Sequence, residues 1–377
     1  MQSKLVITPR IRKSPYFDAS LKAGARGFSV YNKMYLPFSY DTPENEFWAI
    51  VNDVTIWDVA VQRIVEISGP DALQFTNMLT PRNLNKCKVG QCRYLFITDE
   101  NGGILNDPVL LRLEENRFWL SRADGDMLLW AKGVAVNSGM DVNISEPDVS
   151  PMQVQGPKSR HVMDALFGAQ VSRLAYYHCT EIELDGIPLV VSRTGYSAEL
   201  GFEIYLQDGS RGTELWDRVM AAGQPFNIKP AAPSRIRRIE AGILDFGVDI
   251  DETVSALELG MDRLVDLESP DDFIGKAALQ ELAKQGVKRR IAGIEFSGEN
   301  IPYNDRPWPL LLDGVRCGQA TSWIHSPRLE KNIGLAMLNI PATEIGTVLQ
   351  LDSPEGARKV TVCSLPFYDP DREKSKK

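Results

Sequence analysis

The sequence predicts an α+β protein followed by a separate β-rich domain. Two blocks, residues 45–122 and 155–244, share one pattern, in which short strands accompany a helix that begins at a Gly-Pro turn. A polar break at residues 284–290 follows, and residues 291–367 have the pattern of short strands separated by Gly and Pro. We therefore predict two mixed α/β domains and a small C-terminal β-barrel-like domain.

The break sets the predicted domain boundaries. Residues 1–285 are expected to form two interleaved α+β domains, one of them covering roughly 45–140, and residues 286–377 the barrel-like domain. A chain of 377 residues is long enough to build several cores. Its composition, 43% hydrophobic and 24% charged, is typical of a globular protein, and no apolar run is long enough to span a bilayer.

Hydrophobic periodicity predicts the elements of the two blocks. In the first block, Gly69 and Pro70 open a helix, because Pro suits the first helical turn. The Gly-Pro pair at 156–157 does the same in the second block. The predicted strands are 63–68, 94–98, 109–113, 118–121, 180–184, 187–192 and 201–207, and the other predicted helices include 125–137, 213–222 and 234–244.

Charge and cysteine content exclude several functions. The formal net charge of −8 argues against a general nucleic-acid surface, and we interpret the basic residues at 288–290 and in the tail 371–377 as solvated charge runs. Five scattered cysteines and three histidines predict neither a disulfide framework nor a metal site. Residues 1–13 lack the apolar core of a signal peptide, so we expect a cytoplasmic protein.

A pocket wall is predicted after Gly195. Alternating residues there indicate a strand with an apolar face that carries Tyr196 and a polar face that carries Glu199 and Glu203. Gly195 and Gly201 are expected to let another group approach the backbone closely. The alternative interpretation is an ordinary edge strand with exposed acids.

Three segments resemble one family and occur in its order. They are Arg193 to Tyr205, Arg93 to Asp107 with its Asp-Glu-Asn-Gly-Gly-Ile-Leu-Asn-Asp run, and Arg237 to Asp249 with Arg-Arg-Ile-Glu-Ala-Gly. The family is the folate-dependent methyl and aminomethyl transferases typified by the glycine-cleavage T protein. The resemblance runs from about residue 14 to residue 367 and implies a three-domain cloverleaf that holds tetrahydrofolate in its central hole.

The resemblance also implies roles for single residues. Glu203 matches the carboxylate that binds the pterin ring, with Glu199 as the less favoured occupant of that role. Asp107 matches an acid near folate N5, where the one-carbon unit is transferred, and we expect it to act by positioning and electrostatics. Tyr94 and Tyr196 would pack along the ring or the donor. Arg238 would face the folate or anchor Glu240.

Departures from the glycine-cleavage pattern point to one branch of the family. Asn106 replaces an Asp, which we expect to remove a negative charge from the transfer point, unless Asn106 and Asp107 only form a turn. With residues 31–37 and 57–59, this resembles the branch that moves a methyl group from the sulfonium acid dimethylsulfoniopropionate to tetrahydrofolate, which gives 5-methyltetrahydrofolate and methylthiopropionate. Aromatic faces suit such a cation. The candidate donor-binding residues are Tyr31, Trp57, Tyr196 and Tyr205, with Lys33 or Arg93 for the donor carboxylate.

Other functions stay open at this point. The donor is alternatively a methylated amine or a methoxy-aromatic acid, or the chain is a folate-binding regulatory protein without turnover. No dinucleotide fingerprint or phosphate loop is present, so we expect no flavin, and no metal is expected. The expected partners are small molecules, without nucleic acid or membrane, and the sequence leaves monomer and homodimer undecided.

Overall fold

The structure is a computed structural model that describes residues 7–300, 306–354 and 356–376. Residues 1–6, on which part of the expectation about a signal peptide rests, and residue 377 of the tail lie outside the described residues. Within the described ranges, no helix is long and apolar enough to cross a membrane.

A five-stranded antiparallel sheet dominates the first part of the chain. The elements up to residue 145 are α1 Phe17–Lys22, β1 Gly27–Tyr31, β2 Met34–Ser39, α2 Pro43–Asn52, β3 Val54–Asp58, β4 Ile64–Ser68, α3 Ala72–Leu79, β5 Cys92–Tyr94, β6 Ile97–Thr98, β7 Ile104–Asn106, β8 Val109–Glu114, β9 Arg117–Ser121, α4 Met127–Val136 and β10 Asn143–Ser145. The sheet has the order β10-β4-β9-β8-β5, and α3 and α4 pack against it. The single strand predicted at 94–98 is wrong, because Tyr94 ends β5 while Ile97 begins β6, which pairs with β7 in another sheet.

A six-stranded sheet dominates the second part. The elements from residue 150 to 285 are β11 Ser150–Gln155, α5 Ser159–Phe167, α6 Ala169–Ser172, β12 Cys179–Leu184, β13 Ile187–Ser192, β14 Gly201–Leu206, α7 Gly212–Gly223, β15 Ile228–Pro230, α8 Arg235–Glu240 and α9 Lys276–Gln285, with short 3₁₀ turns at Gly209–Arg211, Gln224–Phe226 and Asp262–Leu264. The order is β12-β13-β14-β11-β3-β15, and β15 runs parallel to β3 while the other pairs are antiparallel.

Strand β14 shows how the two sheets pack. Its side chains at Phe202 and Ile204 enter the core beneath α5 and α7. Successive side chains on a strand alternate between faces, so Glu203 and Tyr205 point to the other side of the sheet. There the Tyr205 ring lies 6.1 Å from the ring of Trp119 in the five-stranded sheet. The two sheets therefore stack face to face in this region, and one polar row of the six-stranded sheet lies between them.

The C-terminal domain is a closed six-stranded barrel, which confirms the predicted β-barrel-like fold. Its strands run β16-β19-β18-β17-β20-β21 around the barrel. The remaining elements are β16 Arg289–Phe296, β17 Trp308–Leu312, β18 Val315–Ser326, β19 Lys331–Asn339, a 3₁₀ turn Ile340–Ala342, β20 Val348–Ser353, β21 Gly356–Cys363 and α10 Glu373–Lys376. Strand β18 packs against α8, where the Ser326 hydroxyl donates to Glu240 at 2.6 Å and Ser322 Oγ accepts from Arg238 at 2.9 Å. The barrel thereby holds α8 in place.

Two predicted elements around the pocket differ from the structure. Residues 196–200 form a series of bends, and β14 begins only at Gly201, with all of its residues buried. The strand predicted to begin directly after Gly195 is therefore wrong, and so is the alternative of an edge strand with exposed acids, because Glu199 and Glu203 are buried. The helix predicted at 234–244 begins with the Ser234 hydroxyl accepting from the Arg237 amide, but it ends at Glu240. Gly242 then takes a φ of +62°, a left-handed conformation that stops the helix.

The tail is not a simple solvated charge run. Arg372 donates to the carbonyl of Ala241, and Arg193 donates to the carbonyl of Ser375. Ser375 is buried, and helix α10 lies against the body of the protein instead of extending into solvent. The basic segment at 288–290 also differs in part, since Arg289 pairs with Glu258 at 2.7 Å.

Candidate active site

A cavity of about 1410 Å³ lies where the two sheets, the β1–β2 hairpin and the segment after α8 meet. Cavities that hold drug-sized ligands usually measure about 300–1,000 Å³. This one therefore has room for a large ligand together with a small one. Among the described residues, the barrel strands contribute nothing to its wall, and the tail contributes Arg372, Ser375 and Lys376.

A polar row crosses the six-stranded sheet beneath this cavity. Strand register places Ser192 opposite Glu203, Glu203 opposite Gln153, and Gln153 opposite Trp57. Directly opposite residues share a face of the sheet, so all four point toward the cavity side. The sequence singled out Glu203 and Trp57 separately, but only the strand order shows that they belong to one row.

Glu203 is a buried carboxylate held by several donors. Gln153 donates to it at 2.7 Å, Tyr205 donates at 3.3 Å, and the Thr194 hydroxyl makes a short bond to it. Burial raises the pKa of Glu203, while these hydrogen bonds act in the opposite direction. Glu203 lies on the cavity wall. Because the protein's own donors hold its carboxylate, the position of its acceptor oxygens is set before any ligand binds.

Asp107 is the second wall carboxylate. It follows β7, and its Oδ2 accepts from the Tyr94 hydroxyl at 3.0 Å. Burial raises the pKa of Asp107 from 3.8 to about 7, and the negative charge of nearby Asp245 adds to this effect. A carboxyl group with such a pKa exchanges a proton near neutral pH.

Asn106 has a structural role that the sequence did not reveal. Its amide nitrogen donates to the carbonyls of Ala123 and Asp124, and its oxygen accepts from the Ala123 amide. Asn106 is fully buried and does not line the cavity. Asn106 therefore does not face the cavity at the expected transfer point, and its side chain ties the loop after β9 to β7.

The arginines of α8 pair differently from the expectation. Arg238 bonds Asp249 at 2.7 Å, and it does not anchor Glu240, which instead accepts from Ser326. Arg237 pairs with Glu199 at 2.7 Å. Arg238 and Glu199 both lie on the wall, but both already have buried ionic partners inside the protein. Buried charges of this kind require such partners.

Gly195 and Gly201 accommodate a protein side chain. A Cβ at either position would lie 2.1–2.2 Å from the Gln155 amide group. That amide donates to the carbonyls of Thr194 and Phe202. The close approach predicted at these glycines therefore exists, and the approaching group is Gln155, which fixes the bends that carry Tyr196 to the wall.

The structure brings most predicted site residues to one wall. Three of the candidates do not reach it. Lys33 is exposed outside the cavity. Trp57 is fully buried in an apolar cluster on which Tyr196 packs, and Tyr205 is fully buried beside Glu203. The predicted residues that line the cavity are Tyr31, Arg93, Tyr94, Asp107, Tyr196, Glu199, Glu203 and Arg238.

Sequence reasoning missed several charged wall residues. Asp245 lies on the wall. Its place directly before the Phe246-to-Asp249 motif is the one sequence feature that could have indicated this position. Asp124 lies on the wall as well, where its carboxylate accepts from the Asn32 amide at 2.7 Å. Cations not foreseen on the wall include Arg82, Arg263, Arg372 and Lys376. Within the described part of the chain, no group of three or more His, Cys, Asp or Glu side chains is arranged to hold a metal ion.

Comparison with known proteins defines the class of this protein. Residues 16–269 match the GCVT N-terminal domain, and residues 289–369 match the glycine cleavage T-protein C-terminal barrel domain. The crystal structure of the glycine cleavage system aminomethyltransferase T from Bartonella henselae superposes with a TM-score of 0.86 over 96% of this chain and 99% of that one, at 23% identity, which confirms the fold. The protein is an enzyme of the one-carbon transferase class. It belongs to the glycine-cleavage T-protein family.

Two relatives represent different activities within this family. The dimethylsulfoniopropionate demethylase DmdA of Ruegeria pomeroyi is 39% identical over 94% of this chain and 96% of its own length. The aminomethyltransferase of Alkaliphilus metalliredigens is 30% identical over 92% of this chain and 98% of its own length. Both alignments span nearly the whole protein.

Proposed function

We propose that this enzyme transfers a methyl group from dimethylsulfoniopropionate to tetrahydrofolate, which yields 5-methyltetrahydrofolate and methylthiopropionate. The observation that carries the proposal is the acidic and aromatic wall around Asp107, formed with Tyr31, Tyr94 and Tyr196. A permanent cation is attracted by carboxylates and by the faces of aromatic rings. The identity of 39% with a demethylase of this substrate supports the same donor.

The residues of the wall fit a reduced folate. Glu203 offers a buried carboxylate to the N–H donors of the pterin ring, and charge-assisted bonds of this kind are strong and directional. Arg82 and Arg372 on the same cavity wall are available to the carboxylates of the glutamate tail. Tetrahydrofolate supplies N5 as the methyl acceptor. Its chemistry is redox-neutral here, so we propose that neither flavin nor metal takes part.

Asp107 would manage charge during the transfer. The bond between the methyl carbon and sulfur breaks with its electron pair going to sulfur, a bond to N5 forms, and the N5 proton is lost. Asp107, with a pKa of about 7, is able to accept that proton, and its ionised form stabilises positive charge that moves from sulfur to nitrogen. The Tyr94 hydroxyl holds the carboxylate in place at 3.0 Å.

Donor binding divides between two kinds of side chain. The sulfonium would lie among the rings of Tyr31, Tyr94 and Tyr196, where each contact contributes up to about 2 kcal/mol when desolvated. The donor carboxylate requires a cation, and Arg93 lies on the wall whereas Lys33 does not. Arg93 is therefore the better candidate, held by bonds to Cys92 O at 2.8 Å and Gln91 Oε1 at 2.7 Å. We propose a cytoplasmic location for this reaction.

The test is methyl transfer by the purified protein, followed as formation of 5-methyltetrahydrofolate. Dimethylsulfoniopropionate is expected to react, and Glu203→Gln to weaken reduced-folate binding by about 1–3 kcal/mol. A lipoyl-bound aminomethyl donor is expected not to react. Turnover of a methylated amine or a methoxy-aromatic acid instead would replace the donor in this proposal, and tight folate binding with no turnover of any donor would indicate a regulatory protein.

A further inference from the structure

Asp245 occupies a distinctive place on the cavity wall. It lies in the turn after α8, where its amide donates to Asp249 Oδ2 at 3.0 Å. Arg238 gives its short bond to Asp249 at 2.7 Å and lies 3.6 Å from Asp245. One guanidinium therefore faces two carboxylates. Because Asp249 takes the closer position, Arg238 compensates the charge of an ionised Asp245 less fully, and 33% of the Asp245 side chain remains accessible on the cavity wall.

The surroundings of Asp245 add negative charge. Burial, more than any other influence, raises the pKa of Asp245, although Arg238 and Arg235 act against it. The carboxylate of Asp245 in turn raises the pKa of Asp107. The negative charge of each acid, when ionised, is therefore compensated only in part by the protein, since Asp249 also acts on Asp245 in the direction that raises its pKa. A bound cation would compensate it.

Aromatic rings stand beside these acids. The Tyr196 hydroxyl donates to the Leu244 carbonyl at 2.8 Å, so its ring is fixed next to Asp245. Tyr31 lies within the electrostatic reach of both Asp107 and Asp245. Carboxylates and aromatic faces on one wall favour a ligand group that is positive, apolar at its surface and unable to donate hydrogen bonds. Onium groups, such as sulfonium and quaternary ammonium, have this chemistry.

We propose that Asp245 is a specificity-determining residue that, with Asp107, selects donors carrying a permanent positive charge over neutral molecules of the same shape. This inference rests on the proposed function, because both place the donor at the same wall. Asp245 need not touch the reacting atoms. It acts through charge, since one added negative charge near a buried cation changes affinity by roughly tenfold or more.

The test compares a cation with its neutral isostere. Dimethylsulfoniopropionate and 4-methylpentanoate differ in the replacement of the sulfonium by CH, and the affinity of each is measured by calorimetry without tetrahydrofolate, so that no methyl transfer occurs. Wild-type protein is expected to prefer the sulfonium. Asp245→Asn is expected to weaken sulfonium binding by roughly tenfold or more and to leave the binding of the isostere unchanged. The matched control is Asp262→Asn, which removes an exposed carboxylate outside the cavity wall.

The outcomes separate the two proposals. Equal weakening of the binding of both ligands by Asp245→Asn would overturn the inference, since it would mean that Asp245 only supports Arg238. Unchanged affinity for both ligands would also overturn it. Absence of 5-methyltetrahydrofolate from wild-type reactions would overturn the proposed donor alone. In that case glycine betaine and its isostere 3,3-dimethylbutanoate repeat the comparison. A preference for the betaine that Asp245→Asn abolishes would sustain the inference, and equal affinity for the two compounds would end it.

Discussion

Replacement of Asp107 by Asn is expected to stabilise the ligand-free protein in a pH-dependent manner. Burial raises the pKa of Asp107 from 3.8 to about 7. Between these two pH values the Asp107 carboxyl group is protonated in the folded protein and ionised in the unfolded chain. Folding stability of the wild type therefore falls as pH rises from about 4 to about 7. A tenfold change in an acid dissociation constant corresponds to about 1.4 kcal/mol. Between pH 5 and pH 8 the stability gained by Asp107→Asn is expected to grow by about 2–3 kcal/mol.

The assay is urea unfolding of both proteins at pH 5 and pH 8 without ligand. At each pH, the free energy of unfolding of the wild type is subtracted from that of Asp107→Asn. The difference at pH 5 is then compared with the difference at pH 8, so that pH-independent effects of the substitution cancel. Asp262→Asn serves as the control, because it removes an exposed carboxylate away from the cavity. An equal effect of Asp107→Asn on the free energy of unfolding at both pH values would refute the conclusion that the folded protein holds Asp107 protonated.

The remaining predictions concern three positions. Asn106→Asp should cost about 1–3 kcal/mol of unfolding free energy at pH 8, because a carboxylate there would face the two main-chain carbonyls that now accept from the amide. Trp57→Ala should cost about 3–5 kcal/mol of unfolding free energy and also weaken donor binding, since Trp57 is the largest member of the apolar cluster on which Tyr196 packs; Trp57→Phe should restore most of the affinity measured by calorimetry. Asp107→Asn should lower turnover and remove the limb near pH 7 from the pH profile; a limb that persists in the variant belongs to another group.

Sequence patterns predicted the fold class well, because local rules govern most of its elements. Gly-Pro turns opened α3 and α5 where expected, and the Gly- and Pro-punctuated C-terminal strands closed into a barrel. The sequence-based predictions failed where pairing between distant strands decides the structure. The segment at 94–98 has one continuous strand pattern, yet it divides between two sheets because its two ends pair with different partners.

The candidate site was predictable in part for the same reason. Asp107, Tyr196 and Glu203 lie within short motifs, and all three line the cavity. No local pattern shows that Tyr196 packs on the cluster that contains Trp57, because these residues come together only through packing of distant segments. The expected role of Asp107 also changes. A sulfonium leaves without a proton, which suggested a pH profile unaffected by Asp107→Asn, whereas the pKa of about 7 predicts that the limb disappears.

The cavity wall draws on distant parts of the chain, and this has a consequence for biosynthesis. Tyr31 and Lys376 both contribute to the wall. Chains are synthesised at about 5–20 residues per second, so tens of seconds separate the appearance of these two residues. The wall stays incomplete until the segment 372–376 has been synthesised. Ligand binding therefore depends on the segment 372–376, and a chain truncated before residue 372 should have an open cavity.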